Sequence, residues 1–287
     1  MKSYIKLIGP VVSLMLITGN VLGQTNALNG LAQQVAALNV TVSNLQASVK
    51  NQGTQNGTTV SNLLATVTNL MATVTALKTS NNDLSNRLQY VSVAGTDMFI
   101  TGANLNIRNG SGVTANINGL GNLIVGYNES REPDGVDDRT GSHNIVIGTL
   151  QNFTSYAGLV AGTLNNIIAP YASVSAGTHN TASGSYASVS GGFGNTASGD
   201  SSAVSGGLGN EARGSTASVN GGILNIASGD SSAVSGGESS FAGGSYSSVS
   251  GGDNNTASGS HSSVSGGSSL VQTNDYGWTG GSYHTPP

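Results

Sequence analysis

The sequence predicts an all-β solenoid head, built from coils of about 15 residues, on an N-terminal α-helical coiled-coil stalk. The head is predicted by a phrase of small residues that carries a valine every fifteen residues. These valines are Val174, Val189, Val204, Val219, Val234, Val249 and Val264. A fixed short period is typical of solenoids, in which each coil packs only on its neighbours. The stalk is predicted by apolar residues spaced seven apart nearer the N-terminus.

Residues 1–23 have the pattern of a secretory signal peptide. Lys2 and Lys6 precede an apolar run from Leu7 to Leu22, which contains polar residues and is short for a bilayer span. We therefore expect a mature chain that begins near Gln24 and is secreted or attached to the cell surface. No later segment is expected to cross a membrane. Because the chain has no Cys, its stability must come from packing or association rather than from disulfides.

Residues 24–92 form the predicted stalk, with a break near residues 51–59. The a positions of the two heptad runs are Leu28, Val35, Val42, Val49, Val60, Val67, Val74, Asn81 and Leu88. The d positions are Leu31, Leu38, Leu45, Leu63, Leu70, Leu77, Leu84 and Val91. Since Val49 and Val60 are eleven residues apart, the break is either a stutter in one continuous helix or a loop. The e and g positions carry almost no charge, and the heptads alone favour a dimer and a trimer equally.

The β part of the chain divides by composition into a connector at residues 93–122, a head at 123–267 and a cap or tip at 268–287. In the head, Val and Ala alternate with Ser, which predicts a Val and Ala interior and a Ser exterior. Asn recurs once per coil and is expected to stack along the axis. An interior of one Val and a few Ala per coil hardly offsets the ordering of fifteen residues. We therefore expect several chains to associate side by side.

The repeats "ASVSGGFGNTASG" and "SSVSGGDNNTASG", preceded by "NLIVG" and "NIVIG", resemble the head repeats of trimeric autotransporter adhesins, the YadA-like family. The resemblance covers about residues 120–267. It implies a left-handed parallel β-roll, a homotrimer and an adhesive function, and it favours three helices over two in the stalk. The chain differs from that family in three respects. Its unit has fifteen residues where the family has about fourteen, its stalk precedes its head, and the family's membrane-anchor segment is absent from the sequence.

Charge and residue types argue against several other functions. After Lys2 and Lys6 are removed, seven basic residues face thirteen acidic ones, so nucleic acid is not an expected partner. No Ser, His and acid occur in a recognisable catalytic frame. The four His residues are far apart in sequence, with no Cys between them. We therefore expect neither an enzyme, nor a cofactor, nor a metal site.

Several residues are candidates for ligand contact. Tyr186, Tyr246 and His261 occupy the same position of the coil, where they either form a binding ladder or simply cover the outer strand. The charged insertion at residues 129–141 interrupts the coil spacing, and insertions into solenoids often project onto the working face. Its candidate residues are Asp134, Asp137 and Asp138. The single Trp278 lies in the C-terminal segment, where it either contacts a ligand or caps the last coil.

The expected function is attachment. A trimeric fibre would bring many weak contacts from its head to a surface glycan or a matrix protein, because linked copies raise the effective concentration. The alternative is a passive surface filament or spacer. Ice binding is a remote alternative, because Glu211, Ile226 and Phe241 interrupt the flat rows of Ser and Thr.

Overall fold

The computed structural model describes residues 25–51, 57–131 and 135–281. The predicted signal peptide lies outside the described residues. The chain divides into two compact units, with the boundary between Leu105 and Asn106. The first unit contains two helices and a β-hairpin, and the second is a parallel β-solenoid.

The two helices of the first unit are α1 (Thr25–Asn51) and α2 (Gly57–Arg87). They pack against each other within one chain, and Gln46 Nε2 donates to Thr68 Oγ1 at 3.4 Å. A continuous helix would hold these two residues about 33 Å apart. The alternative of a stutter in one long rod is therefore wrong, and the chain folds back between the two runs.

The packing of the helices buries several a positions of the predicted heptads and leaves several d positions exposed. Four a-position valines are buried: Val35, Val42, Val67 and Val74. Three d-position leucines stay more than one third exposed: Leu45, Leu63 and Leu77. The pairing within one chain therefore buries the valine stripe and leaves leucine surface uncovered.

A β-hairpin follows the helices. Strands β1 (Val91–Ala94) and β2 (Asp97–Ile100) are antiparallel, and Gly95 in the turn adopts a φ of +61°. The positive φ explains the glycine, since other residues rarely adopt it. The helix ends at Arg87, so Leu88 and Val91, predicted as heptad positions of a stalk that reaches residue 92, lie outside it, and the hairpin runs from Val91 into the predicted connector of residues 93–122.

The second unit is built from two parallel sheets in which each strand pairs with its equivalent one coil away. The first sheet contains β3 (Leu123–Val125), β4 (Ile145–Thr149), β6 (Leu159–Thr163), β8 (Ser173–Val174), β10 (Ser188–Val189), β12 (Ala203–Val204), β14 (Ser218–Val219), β16 (Ala233–Val234), β18 (Ser248–Val249), β20 (Ser263–Val264) and β22 (Trp278–Thr279). The second contains β5 (Asn152–Phe153), β7 (Asn166–Ile167), β9 (Thr181–Ala182), β11 (Thr196–Ala197), β13 (Glu211–Ala212), β15 (Ile226–Ala227), β17 (Phe241–Ala242), β19 (Thr256–Ala257) and β21 (Val271–Gln272). These sheets make a solenoid of about nine turns with coils of about 15 residues, as the period predicts.

A third row of single bridges runs along the solenoid. It joins Thr163, Thr178, Phe193, Leu208, Ile223, Glu238, Asp253 and Ser268. In the early coils this row is continuous with the first sheet, since β4 and β6 pair over five residues at a 14-residue step. From β8 onward one extra residue separates the buried Val from the glycine that follows it, and the long strand becomes a two-residue strand and a bridge. The fifteen-residue period is therefore the fourteen-residue coil with one residue added.

The interior is as thin as the sequence predicts. It is formed by one row of buried valines from the first sheet and rows of buried alanines beside them. At the C-terminal end, β21 and β22 continue both sheets beyond residue 267. A further coil thus lies inside the segment predicted to be the cap or tip.

Glycine is required where successive coils meet most closely. A Cβ atom placed on Gly199 would lie 1.9 Å from the carbonyl oxygen of Gly214. Gly207 adopts a φ of +89°, and a Cβ there would lie 2.2 Å from the carbonyl oxygen of Gly222. The small residues of the repeat therefore set the distance between coils.

Candidate ligand-contact surface

One corner of the solenoid carries exposed aromatic rings. Its residues share a φ near +60° and lie one above another in successive coils. We name this set the corner row: Tyr171, Tyr186, Ser201, Thr216, Ser231, Tyr246, His261 and Tyr276. Its backbone is regular throughout, because each N–H donates to a carbonyl of the preceding coil at 2.8–3.0 Å. The side chains can therefore differ between coils without a change in the backbone.

The rings of the corner row form two separate stacks. Tyr171 and Tyr186 stack with centroids 4.8 Å apart and planes 8° from parallel. Tyr246, His261 and Tyr276 stack with centroids 4.7 Å apart at each step. Tyr186 and Tyr246 are 62% and 59% exposed. The ring centroids are separated by the same distance as neighbouring strands. Each ring face is therefore turned toward the next coil along the row.

The sequence placed Tyr186, Tyr246 and His261 at one coil position, and the structure brings only the last two into contact. Tyr186 belongs to the other stack. The sequence prediction did not include Tyr171 and Tyr276, although each lies fifteen residues from a predicted member of the corner row. Tyr156 packs edge-on against Tyr171 at 5.4 Å from a neighbouring position, and burial and its contacts with Tyr171 raise the pKa of its phenol.

Between the two stacks lies a gap of three coils, formed by Ser201, Thr216 and Ser231. All three are exposed. Thr216 Oγ1 and Ser231 Oγ share a hydrogen bond of 2.8 Å. Among the described residues, no ring contacts the faces of Tyr186 and Tyr246 that open on this gap. With four coil steps between these rings, the gap is about 19 Å from ring to ring.

Acidic side chains stand next to the corner row at three places. Asp200, Asp230 and Asp275 each accept a hydrogen bond from a backbone N–H of the preceding coil at 2.8–3.1 Å. The donors are Ser185, Ser215 and Ser260. Each carboxylate is therefore fixed between the level of its own coil and the level of the coil before it.

The charged insertion folds onto the solenoid through an arginine that the sequence analysis did not single out. Arg131 donates to the carbonyl oxygens of Leu150 and Asn165 at 2.6 and 2.8 Å. It also donates to Asn166 Oδ1 at 2.9 Å. Burial lowers the pKa of this guanidinium from its usual value. No signal in the sequence singles out Arg131 among the charged residues of the insertion.

The predicted carboxylates of the insertion hold the insertion together. Asp137 Oδ1 accepts from Arg139 at 2.9 Å and from the Arg131 backbone N–H at 3.4 Å. Burial opposes ionisation of Asp137, but these bonds and one from Ser130 outweigh it and lower the pKa of the carboxyl. Asp138 Oδ1 accepts from Thr140 Oγ1 at 2.8 Å.

Asp134, the third predicted carboxylate, lies outside the described residues. In the part of the chain that the structure describes, no group of three or more His, Asp or Glu residues is arranged to hold a metal ion. Trp278 is 68% exposed on β22, and its indole N–H donates to Ser265 Oγ at 2.6 Å. It lies outside the corner row.

The first coils expose an apolar sheet face. In the first sheet, Val146 and Val160 point inward, while the alternate residues of β3, β4 and β6 point outward. The outward residues at least 40% exposed are Leu123, Val125, Ile145 and Ile147. From β8 to β20 the row that contains Ile145 and Leu159 carries Ser or Ala, and in β22 it carries Trp278. An exposed apolar face of this kind is typical of an interaction surface.

The expectation that no segment after the signal peptide crosses a membrane stays a prediction. The stretch Thr59–Arg87 of α2 is long and apolar enough to cross a bilayer, with a mean hydropathy of 1.4. One such helix is weak evidence for a span, because an amphipathic helix that packs on another meets the same criteria. Here Val67 and Val74 of this stretch are buried in the pairing with α1.

No known protein family matches this sequence, and no curated protein matches it. The fold and the surface define the chain as a parallel β-solenoid protein with N-terminal helices. Its likeness to YadA-like head repeats is a resemblance of the repeat phrases.

Proposed function

We propose that the protein is a secreted or surface-attached homotrimeric fibre that mediates adhesion through multivalent contact of its solenoid. The observation that carries the proposal is the corner row, which presents exposed rings in two stacks, 4.7–4.8 Å apart within each stack, on a regular scaffold. Rigid repetition of weak contacts favours avidity, because each contact raises the effective concentration for the next. The resemblance of the repeats to YadA-like heads supports the same function and a left-handed winding of the coils.

Association of three chains is supported by apolar surface that one chain leaves uncovered. The outward residues Leu123 and Val125 of β3 and Ile145 and Ile147 of β4 are exposed, and so are Leu45, Leu63 and Leu77 of the helices. Burial of such side chains contributes about 25 cal/mol for each Å² removed from water. The thin interior of each coil gives a further reason for chains to share burial. In the proposed trimer, three helix pairs form the stalk.

The experiment that tests adhesion uses the purified mature chain on surfaces coated with a glycan panel or with matrix proteins. We expect attachment that is retained under washing and that falls steeply when the protein is diluted below its assembly concentration. Failure to attach to any coated surface would contradict adhesion and favour a passive filament. Inhibition of ice growth in the same preparation would favour the ice-binding alternative.

A further inference from the structure

We propose that the protein binds a pyranose ring of a glycan at Tyr186, Ser201 and Asp200, where the sugar takes the place of the ring that is missing from the corner row. This inference rests on the proposed adhesive function and names its site and ligand class. It starts from the fact that Tyr171 and Tyr186 are stacked and the next coil carries Ser201 in place of a ring. The face of Tyr186 is thereby left open.

The vacancy has the dimensions of a sugar ring. Rings within each stack follow each other at 4.7–4.8 Å, and a pyranose chair that packs its axial C–H groups on an aromatic face fits a similar separation. A sugar stacked on Tyr186 therefore lies at the level of Ser201. The gap continues past Thr216 and Ser231, so the rest of a glycan chain has room to leave along or away from the row.

A carboxylate stands at the same level. Asp200 Oδ1 accepts the Ser185 N–H at 3.0 Å, which holds the carboxylate between the coil of Ser201 and the coil of Tyr186. Sugar hydroxyls at the edge of a stacked ring are donors, and a carboxylate is a strong acceptor. The Ser201 hydroxyl adds a group that donates and accepts. The aromatic face, the carboxylate and the hydroxyl thus lie at neighbouring levels of one corner of the solenoid.

This combination occurs once among the described coils. Asp275 lies between the levels of His261 and Tyr276, whose rings already contact each other. Asp230 lies between the levels of Thr216 and Ser231, where no ring is present. The open face of Tyr246 looks onto the coil of Ser231, with Ser245 at the position equivalent to Asp200. Only Tyr186 combines an open face with a fixed carboxylate.

The chemistry selects one kind of sugar. A pyranose with equatorial hydroxyls, such as glucose or N-acetylglucosamine, has C–H groups on both faces and hydroxyls around its edge. It can stack on Tyr186 and reach Asp200 together. An aromatic side chain of a matrix protein could stack on Tyr186, but its edge offers few donors to the carboxylate. The acceptor at the edge therefore favours the glycan.

Cellobiose, a β-linked glucose disaccharide, is the probe. Binding to the full mature chain is measured by calorimetry, and we expect a dissociation constant of about 1 mM, as for a small site of this kind. Ser201→Tyr fills the vacancy and should weaken binding at least tenfold. The substitution suits the fold, since Ser201 has a φ of +57° and Tyr186 one of +60°. Tyr186→Ser removes the stacking face and should have the same effect.

Matched controls make the same changes at the other end of the gap. Ser231→Tyr covers Tyr246, and Tyr246→Ser removes it, but neither touches the site at Tyr186. Both should bind cellobiose as the unaltered chain does. Asp200→Asn keeps an oxygen for the Ser185 N–H but loses the charge, and it should weaken binding severalfold.

The results separate this inference from the adhesive function. Equal binding by Ser201→Tyr and Ser231→Tyr would overturn the site, whether or not the protein attaches to surfaces. Binding of a tyrosine-rich matrix peptide without binding of cellobiose would overturn the ligand class. Failure of the unaltered chain to attach to any surface would contradict the adhesive function, even if it binds free cellobiose.

Discussion

The backbone N–H of Asn195 donates to the side-chain Oδ1 of Asn180, one coil earlier, at 2.9 Å. The same relation recurs between Asn165 and Asn180 and continues through Asn210 and Asn225. Each Nδ2 donates in turn to two carbonyl oxygens, one in its own coil and one in the next. Each buried side-chain amide therefore makes two bonds to the next coil and one within its own coil, and its Oδ1 accepts the backbone N–H that would otherwise bond in a sheet ladder at that corner.

Replacement of one of these amides should destabilise the solenoid. Asn195→Ala removes the acceptor of the Asn210 N–H and the donor to the carbonyls of Gly191 and Gly207. Because these groups are buried, we expect a loss of about 3 kcal/mol in the free energy of unfolding. Guanidinium titration at fixed protein concentration measures it. A loss below about 1 kcal/mol would mean that water satisfies these groups.

The opposite change should repair the break in the amide row between Asn225 and Asn255. Ser240 stands where an Asn is expected, and the Asn255 N–H reaches its hydroxyl only at 3.4 Å. Ser240→Asn would place a donor near the carbonyls of Gly236 and Gly252, as at the equivalent coils. We expect a gain of about 1 kcal/mol in the same titration. A destabilised variant would contradict the equivalence of the coils.

Four buried serines offer a second way to raise stability. The hydroxyls of Ser202, Ser232, Ser247 and Ser262 are buried without a hydrogen-bond partner. Their equivalents Ala172, Ala187 and Ala217 fill the same place with no polar atom. Each Ser→Ala change should gain about 1 kcal/mol, since an unpaired buried hydroxyl is costly. The exposed Ser190→Ala is the control and should change little.

The close contact between coils makes one class of glycine irreplaceable. Gly199→Ala would place its Cβ 1.9 Å from the Gly214 carbonyl oxygen, so the coils must separate. We expect loss of the folded solenoid, seen as loss of its β circular dichroism. Gly191→Ala is the matched control. Its Cβ would lie 3.7 Å from Ala176 Cβ, and the previous coil already carries Ala there.

The charged insertion should give the protein an acid-sensitive stability. Because the pKa of Asp137 is lowered in the fold, its ionised form stabilises the insertion above the usual carboxyl pKa of about 4. That contribution is lost as the pH falls through the lowered value. The Tm of Asp137→Asn should therefore be below that of the unaltered chain at neutral pH, and the two should converge in acid. A constant difference would contradict this role, and Asp253→Asn, away from the insertion, is the control.

Much of the fold follows from the sequence because its period is strict. The Val interior, the Asn row and the two strands per coil each follow from residue type and a spacing of fifteen. The change from a step of fourteen residues to one of fifteen does not show in the sequence where the extra residue is added. The pairing of β6 with β8 places it between the buried Val and the glycine that follows. The sequence does not decide whether α1 folds back on α2, because a spacing of eleven residues between Val49 and Val60 suits both a stutter and a loop.

The candidate site was predictable only in part. Repetition placed Tyr186 and Tyr246 on the same row, but sequence alone does not show which ring faces are covered. The open face of Tyr186 depends on its stacking with Tyr171, and the position of Asp200 depends on a bond to Ser185 in another coil. Asp137 and Asp138 stay predicted ligand-contact residues, and the sequence alone does not show that their carboxylates accept hydrogen bonds from Arg139 and Thr140 within the insertion.

The most direct test of the proposed trimer is the mass in solution, by sedimentation equilibrium, of the chain that begins at Gln24. The account predicts three times the chain mass, unchanged on dilution to micromolar concentration, with the β circular dichroism retained. A folded species with the mass of one chain would contradict it, because the exposed leucines and the apolar sheet face would then not be covered by other copies of the chain.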